Sequence, residues 1–376
     1  MTSPSRVAIV IVDQTGSDSI QEIIPIGYTS WVLPVRNEYR FINSRILLLL
    51  VRNLRLLLSN QINALGWYVL SVSQALGADV LITFIDNCSW DKNLHKVSGL
   101  RVVCVQNGIR SADDLLRKHY DVLLCMGERE AQLISHQSNM TEPIGSINLA
   151  LAQENQALLL QDESVPRIDI FFVSQYRREF WNSPREVDRL HVRAVQKTLD
   201  WINTIAVSRQ LTVGVAFSAK GPDRDILFEE EHQIYRNHLA HGFQIFRREG
   251  FNQRGIDCSY GGLIRSRVVV TFSSSMTLEA LGLGKHVVMT TQLHNDRTSE
   301  HYRWFPPQDF APFLVEPDFQ SFEGRVLTAL ASGPSAVDSY DSDFYCARPD
   351  PLGTIKQAQA TVAILINQQR DYGYKS

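Results

Sequence analysis

The stretch Val268-Val269-Val270-Thr271-Phe272-Ser273-Ser274-Ser275-Met276-Thr277-Leu278-Glu279-Ala280-Leu281-Gly282-Leu283-Gly284 runs from an apolar strand through small hydroxyl residues into an amphipathic helix. A helix begun directly after a strand aims its unpaired backbone N–H groups, and the positive end of its dipole, beyond the strand's carboxyl end. An anion of pyrophosphate size fits there. Ser273, Ser274 and Ser275 leave room for it and add hydroxyl donors, with Thr277 beside them, and Glu279 is spaced to accept hydrogen bonds from ribose hydroxyls. The combination points to a sugar nucleotide. An ordinary strand, serine cap and core helix would carry the same letters, with Glu279 completing the cap.

Outward from this segment, strand-like and helical runs alternate almost from end to end, the pattern of α/β parallel sheets covered by helices on both faces. In the first half the strand-like runs are Val7 to Val12, Thr29 to Leu33, Val80 to Ile85, Val102 to Val105, Val122 to Cys125 and Ile144 to Ser146, with helices expected near 38–65, 67–76 and 111–118. In the second half they are Ile168 to Val173, Leu211 to Phe217, Phe243 to Phe246, Val268 to Phe272, His286 to Met289 and Phe313 to Val315, with a helix from Glu186 to Ser208. The polar, proline-ended segment Ala152 to Pro166 reads as the interdomain linker. This gives domains at 1–160 and 161–335, then 336–376 as a loop and a last helix, Thr354 to Gln369, that crosses back onto the first domain.

With 376 residues, 44% hydrophobic and 20% charged, the chain has material for two separate cores. A net charge of -3 leaves no global basic field, which argues against duplex nucleic acid as a partner. Cys88, Cys104, Cys125, Cys258 and Cys346 are scattered without a Cys-x-x-Cys spacing and read as buried thiols in a reducing compartment. The short polar stretch Met1 to Arg6 is no secretory signal and predicts a cytoplasmic protein. The densest apolar run, Ile46 to Val51, is far shorter than the roughly 20 residues that span a bilayer. Arg45 and Arg52 share a helical face with Ser59, which leaves the other faces apolar, as in a helix enclosed in an α/β layer. Peripheral contact with the inner face of a membrane through the arginine stripe is the second reading of that helix.

Ligands of open α/β sheets bind at the carboxyl ends of strands, so the residues after each apolar run are the candidate site. Asp86 and Asn87 follow Ile85, and Gln106, Asn107, Gly108 and Arg110 follow Val105. Ser174, Tyr176 and Arg177 follow Val173, while Ser218 and Lys220 follow Phe217. Asp86, held by a strand end, is the candidate base toward an acceptor hydroxyl, although a turn cap would use the same residue. Gln106-Asn107-Gly108 is either a tight turn with positive φ at Gly108 or a loop whose amides bind sugar hydroxyls. Arg177 and Lys220 are candidates for neutralising a leaving diphosphate. His238 and His241 are placed near the same edge, and His286 reads as structural. Asp223-Arg224-Asp225 and Asp341-Ser342-Asp343 do not end apolar strands, so no divalent cation is expected. A Walker loop, Gly-x-Gly-x-x-Gly and a hydrolase nucleophile elbow are absent from the sequence.

The segment Ser274 to Val288 resembles the donor-nucleotide motif of GT-B glycosyltransferases and of the UDP-N-acetylglucosamine epimerases that share their fold. Ile82-Thr83-Phe84-Ile85-Asp86-Asn87, Val103-Cys104-Val105-Gln106-Asn107-Gly108-Ile109-Arg110, Phe305-Pro306 and Phe310-Ala311-Pro312-Phe313 are similar to segments of bacterial surface carbohydrate biosynthesis proteins. The resemblance covers residues 75–320 and implies two Rossmann-like domains facing a cleft, with donor in the C-terminal one and acceptor in the N-terminal one. It gives Ser274, Ser275 and Glu279 the donor role and gives Asp86 and Asn87 a place at the cleft. Ser275 stands where many such enzymes have glycine. The activity implied is metal-independent, cofactor-free transfer of a sugar from a nucleotide donor to a capsule, lipopolysaccharide or other surface glycan. Sugar-nucleotide epimerisation and a noncatalytic role in glycan assembly are the alternatives.

Overall fold

The structure is a computed structural model, and it describes residues 8–13, 16–35, 42–84, 94–111, 113, 120–134, 140–156, 167–218, 224–247, 258–294, 303–332, 342–347 and 351–373. The chain forms two compact units, Met1–Ala150 with Pro349–Ser376, and Leu151–Arg348.

The first unit holds a six-stranded sheet of β1 (Ile9–Val12), β2 (Ser30–Leu33), β3 (Val80–Thr83), β4 (Arg101–Val105), β5 (Val122–Cys125) and β6 (Met140–Pro143). Their spatial order is β2-β1-β3-β4-β5-β6, and every pairing is parallel. β1, β3 and β5 are apolar at nearly every position and wholly buried, as strands covered on both faces must be. The last strand lies four residues before the expected Ile144–Ser146. Gly145 at φ 88° turns the chain there, and the Ser146 hydroxyl instead accepts from Leu149 N–H at 3.2 Å to open the helix Ile147–Gln156. That helix runs through the start of the expected linker.

The helices expected near 38–65 and 67–76 are Ser44–Leu58 and Ala64–Leu76, so the break between them falls earlier than expected. Asn43 and Asn63 each cap one, accepting from Ile46 N–H at 2.9 Å and from Gly66 N–H at 2.8 Å, and Asn60 at φ 54° ends the first. Nor is the first of them enclosed: Ile46, Leu50 and Asn53 are buried against the second helix, where Asn53 Nδ2 donates to Ser71 Oγ at 3.1 Å, while its opposite side is open. Most of the expected 111–118 helix lies outside the described residues. The C-terminal helix Pro351–Gly373 packs on this unit, with Thr354 Oγ1 donating to Ile144 O at 2.8 Å and Gln359 Nε2 to Glu22 O at 2.9 Å.

The second unit holds β7 (Ile168–Val173), β8 (Val213–Ala216), β9 (Gln244–Phe246), β10 (Ser266–Thr271) and β11 (His286–Met289), all parallel, in the order β11-β10-β7-β8-β9. The long helix Glu186–Arg209 stops at Gln210, whose φ is 55°, and buries Ala194, Leu199, Ile202 and Ile205 against the sheet. Helices Arg224–His238, Ser259–Arg265 and Phe319–Ala331 complete the cover and were not among the expected elements. Phe313–Val315 is not a strand: Phe313 N–H closes a turn onto Phe310 O at 2.9 Å, leaving one bridge from Leu314 to Met289. The described cysteines Cys104, Cys125, Cys258 and Cys346 are buried and unpaired with one another. Both units are thus Rossmann-like, and among the described residues no helix is long and apolar enough to cross a membrane.

Candidate functional site

In the second unit, β7 lies between β8 and β10, and Val173 is in register with both Ala216 and Thr271. The chain therefore leaves three adjacent strands at one level, bringing Ser174–Arg177, Phe217–Ser218 and Phe272–Ser275 to a common carboxyl edge. The serine turn is braced from below. Ser274 N–H donates to Thr271 Oγ1 at 3.2 Å, Met276 N–H to Ser274 Oγ at 3.3 Å, and Thr277 N–H to Ser274 O at 3.0 Å. Thr277 Oγ1 reaches Thr271 Oγ1 at 3.3 Å, so Thr277 is a brace rather than part of the rim. Ser273 is buried, while Ser274 and Ser275 are half-buried; Ser275 opens the helix Met276–Gly282 without a side-chain cap. A Cβ at Gly282 would lie 2.8 Å from Cys346 O, so glycine is what lets this helix seat on the 342–345 segment.

Glu279 is only 3% exposed, and the buried Tyr260 hydroxyl donates to its Oε1 at 2.6 Å. The carboxyl group lies inside the unit, tying the helix Met276–Gly282 to the helix Ser259–Arg265.

Ser174 and Ser218 face inward, toward a residue the sequence reading missed. Ser174 Oγ donates to Glu231 Oε1, and Ser218 N–H donates to both Glu231 carboxyl oxygens at 3.0 and 3.1 Å. Ser218 Oγ donates to Tyr176 O at 2.8 Å, and Tyr176 N–H to Ser174 Oγ at 3.1 Å. Tyr235, whose phenol is pushed up by burial and by Glu231, closes the network beside Ser174. These hydroxyls clamp the β7 and β8 ends together. Glu231 sits in an acidic run, Glu229-Glu230-Glu231, that reads as a solvated face; the sign of its burial is that it shares a helical face with Phe228 and Tyr235. Tyr176 OH donates to Glu230 Oε2 at 2.8 Å, and Arg178 pairs with Glu230, which holds that carboxyl below its ordinary range. Arg177 is exposed, with its guanidinium 5.2 Å from the Phe180 ring centre.

Under the serine turn, His191 lies between Phe180 and Phe272 in edge-to-face contact with each, both ring centres 5.0 Å away. Its Nε2 donates to Gln175 O at 3.3 Å, and burial pushes its pKa down to about 4, so the ring is neutral near pH 7. His238 and His241 precede β9 and lie at the opposite, amino edge, because parallel strands enter there; His238 Nδ1 is 2.6 Å from Asp200 Oδ1.

At the corresponding edge of the first unit, Gln106 is buried and bridges two strand ends: Met126 N–H donates to its Oε1 at 2.7 Å, and its Nε2 donates to Gly108 O at 2.8 Å. Because the Gln106 side chain closes this turn, Gly108 has no positive φ, contrary to the tight-turn expectation. Asn107 and Arg110 are half-buried, and Arg110 Nη1 donates to Ile109 O at 2.7 Å. Beside Gln106, Arg129 Nη1 and Glu130 Oε1 pair at 3.0 Å with side-chain exposures of 3% and 0%. Burial pushes the Glu130 pKa up, and Arg129 opposes the shift. Asp13, buried after β1, adopts φ 83°, a conformation rare outside glycine. Asp86, Asn87 and Lys220 lie outside the described residues. Among the described residues no group of three or more His, Cys, Asp or Glu side chains is placed to hold a metal ion.

No protein-family model matches the chain, and no curated protein does. Solved structures do. A putative UDP-N-acetylglucosamine 2-epimerase from Listeria monocytogenes superposes with a TM-score of 0.57 at 12% identity, over 97% of each chain. The wall teichoic acid polymerase TagF gives 0.55 at 12% identity, over 98% of this chain and 90% of that one. The UDP-GlcNAc 2-epimerase from Neisseria meningitidis bound to UDP-GlcNAc gives 0.55 at 12% identity, over 96% of this chain and 100% of that one. At such identity the likeness establishes the fold: the chain has the GT-B architecture of two Rossmann-like units.

Proposed function

We propose that this chain is a nucleotide-sugar-dependent glycosyltransferase that adds a sugar to a cell-surface polysaccharide, with the donor diphosphate seated on the carboxyl edge of the second unit's sheet. The observation that carries the reading is the convergence of three adjacent strand ends on a rim of small hydroxyl residues, Ser274 and Ser275, with the exposed Arg177 on the next strand end. Small side chains let a phosphate approach the backbone, and an arginine offers paired donors to it. The names of the fold neighbours, enzymes of a UDP sugar and of wall teichoic acid, favour the same chemistry.

In this reading Ser273, Ser274 and Ser275 contact the diphosphate, and Arg177 with Lys220 offsets its charge as it leaves. Tyr176 and Ser218 shape the rim, and Asp86 orients or deprotonates the acceptor hydroxyl near Asn87, Asn107 and Arg110. Glu279 accepts from the ribose hydroxyls in this reading, while Tyr260 holds its Oε1. Catalysis rests on positioning and leaving-group stabilisation and needs neither metal nor cofactor.

A thermal-shift panel of UDP, CMP, CDP, GDP and dTDP sugars tests this. A ligand that binds only the folded state adds about 2.7 kcal/mol at 100 times its dissociation constant, and Ser275→Trp should remove the response to the best nucleotide. No response to any of them, or a response untouched by Ser275→Trp, contradicts the site. Turnover of the donor without an acceptor would move the assignment to a sugar-nucleotide epimerase, and binding without turnover to a noncatalytic assembly component.

A further inference from the structure

The helix Ser44–Leu58 carries an open face of unusual composition. Its buried side, Ile46, Leu50 and Asn53, is satisfied by the neighbouring helix, where Trp67 Nε1 donates to Leu50 O at 2.9 Å. On the other side Leu47, Leu48, Val51, Leu54 and Leu58 are exposed, with Leu48, Val51 and Leu58 at 69%, 64% and 74%. Together with Ile42, six of the thirteen exposed large hydrophobic residues among the described ones fall within this single stretch, so the patch is a cluster and not scatter.

At about 100° per residue, Leu54, Leu47, Leu58 and Val51 occupy one arc, and the exposed Arg55, Arg52 and Arg45 occupy the adjacent arc, with Leu48 among them. None of the three arginines forms an ion pair with a described residue. From Ile42 to Ala78 the chain has no Asp, Glu or Lys, so these three are its only formal charges there. An apolar lobe flanked by an unpaired cationic one matches a surface that is greasy below and negatively charged above. A second copy of this helix would place arginine near arginine.

We propose that the outer face of the Ser44–Leu58 helix docks the protein on an anionic lipid surface, its leucines entering the acyl boundary and its arginines meeting the headgroups. The side chains involved are solvated in the folded unit, so replacing them leaves the core intact. Vesicle binding is also independent of whether the chain turns over a nucleotide sugar.

The full chain is sedimented with vesicles of phosphatidylcholine alone and of phosphatidylcholine mixed with phosphatidylglycerol. Expected are binding to the mixed vesicles, weakened by salt, and its loss on combining Leu48→Glu with Val51→Glu. Replacing Arg45, Arg52 and Arg55 together by Gln should lower the partition to anionic vesicles by about a hundredfold, roughly fivefold per arginine, with thermal unfolding unchanged. Wild-type protein that stays in the supernatant with both vesicles overturns the proposal. So does equal binding by the glutamate variant, or a concentration-dependent dimer that the same two glutamates dissolve, which would give the face to a second copy.

Discussion

The carboxyl edges of the two sheets solve the same problem in different ways. In the first unit, buried polar groups are balanced by a full ion pair, Arg129 with Glu130, beside the amide bridge of Gln106. In the second, the buried Glu231 carboxyl accepts from neutral donors, the Ser174 hydroxyl and the Ser218 amide. The difference teaches that polar strand-end residues are mostly consumed in bracing the loops. The candidates for ligand contact are those that remain partly or fully exposed at the rim of the second unit, Ser274, Ser275 and Arg177.

Removing each carboxyl group tests that contrast. Glu130→Ala removes the carboxylate paired with the buried Arg129 guanidinium and should cost the first unit about 4 kcal/mol, read as faster amide exchange across β4 and β5. Glu231→Ala removes the acceptor of the Ser174 hydroxyl and the Ser218 amide and should cost the second unit about 2 kcal/mol. Equal losses would erase the distinction between the two edges.

Acid distinguishes the units next. The folded His191 titrates at about 4 against an ordinary 6.5. As pH falls from 6.5 to 4 the unfolded chain takes up a proton that the folded unit refuses, so stability drops across that window by up to about 3 kcal/mol. Above pH 6.5 the residue contributes no pH dependence. His191→Phe keeps a ring between Phe180 and Phe272 and should flatten the second unit's acid limb; an unchanged limb contradicts the burial argument. The smallest effect is expected from Gln106→Ala, about 1 kcal/mol in the first unit from two lost hydrogen bonds, measured by denaturant unfolding.

The alternation of apolar runs made both parallel sheets legible, because strands buried on both faces need continuous Val, Ile and Leu. Helix boundaries were less so: the asparagine caps at Asn43 and Asn63 were there to be read, but the unbroken leucines hid the stop at Asn60. Helix Arg224–His238 was missed because three consecutive glutamates mask the Phe228, Glu231, Tyr235 face. At the site, the sequence indicated which residues end each strand but not which way they turn. Ser174, Ser218 and Gln106 point inward because each finds a buried partner distant in sequence, Glu231 for the serines and Met126 for the glutamine. The sequence left the Ser44–Leu58 helix open between an enclosed and a surface reading, since an apolar run has the same letters under a sheet or at a surface.

The most direct test of the central claim is hydrogen exchange of the full chain with and without its best nucleotide sugar. The account predicts slowed exchange at the amides of Ser273 to Met276 and of Gln175 to Arg178. Protection confined to other elements, with those two segments unchanged, would contradict it.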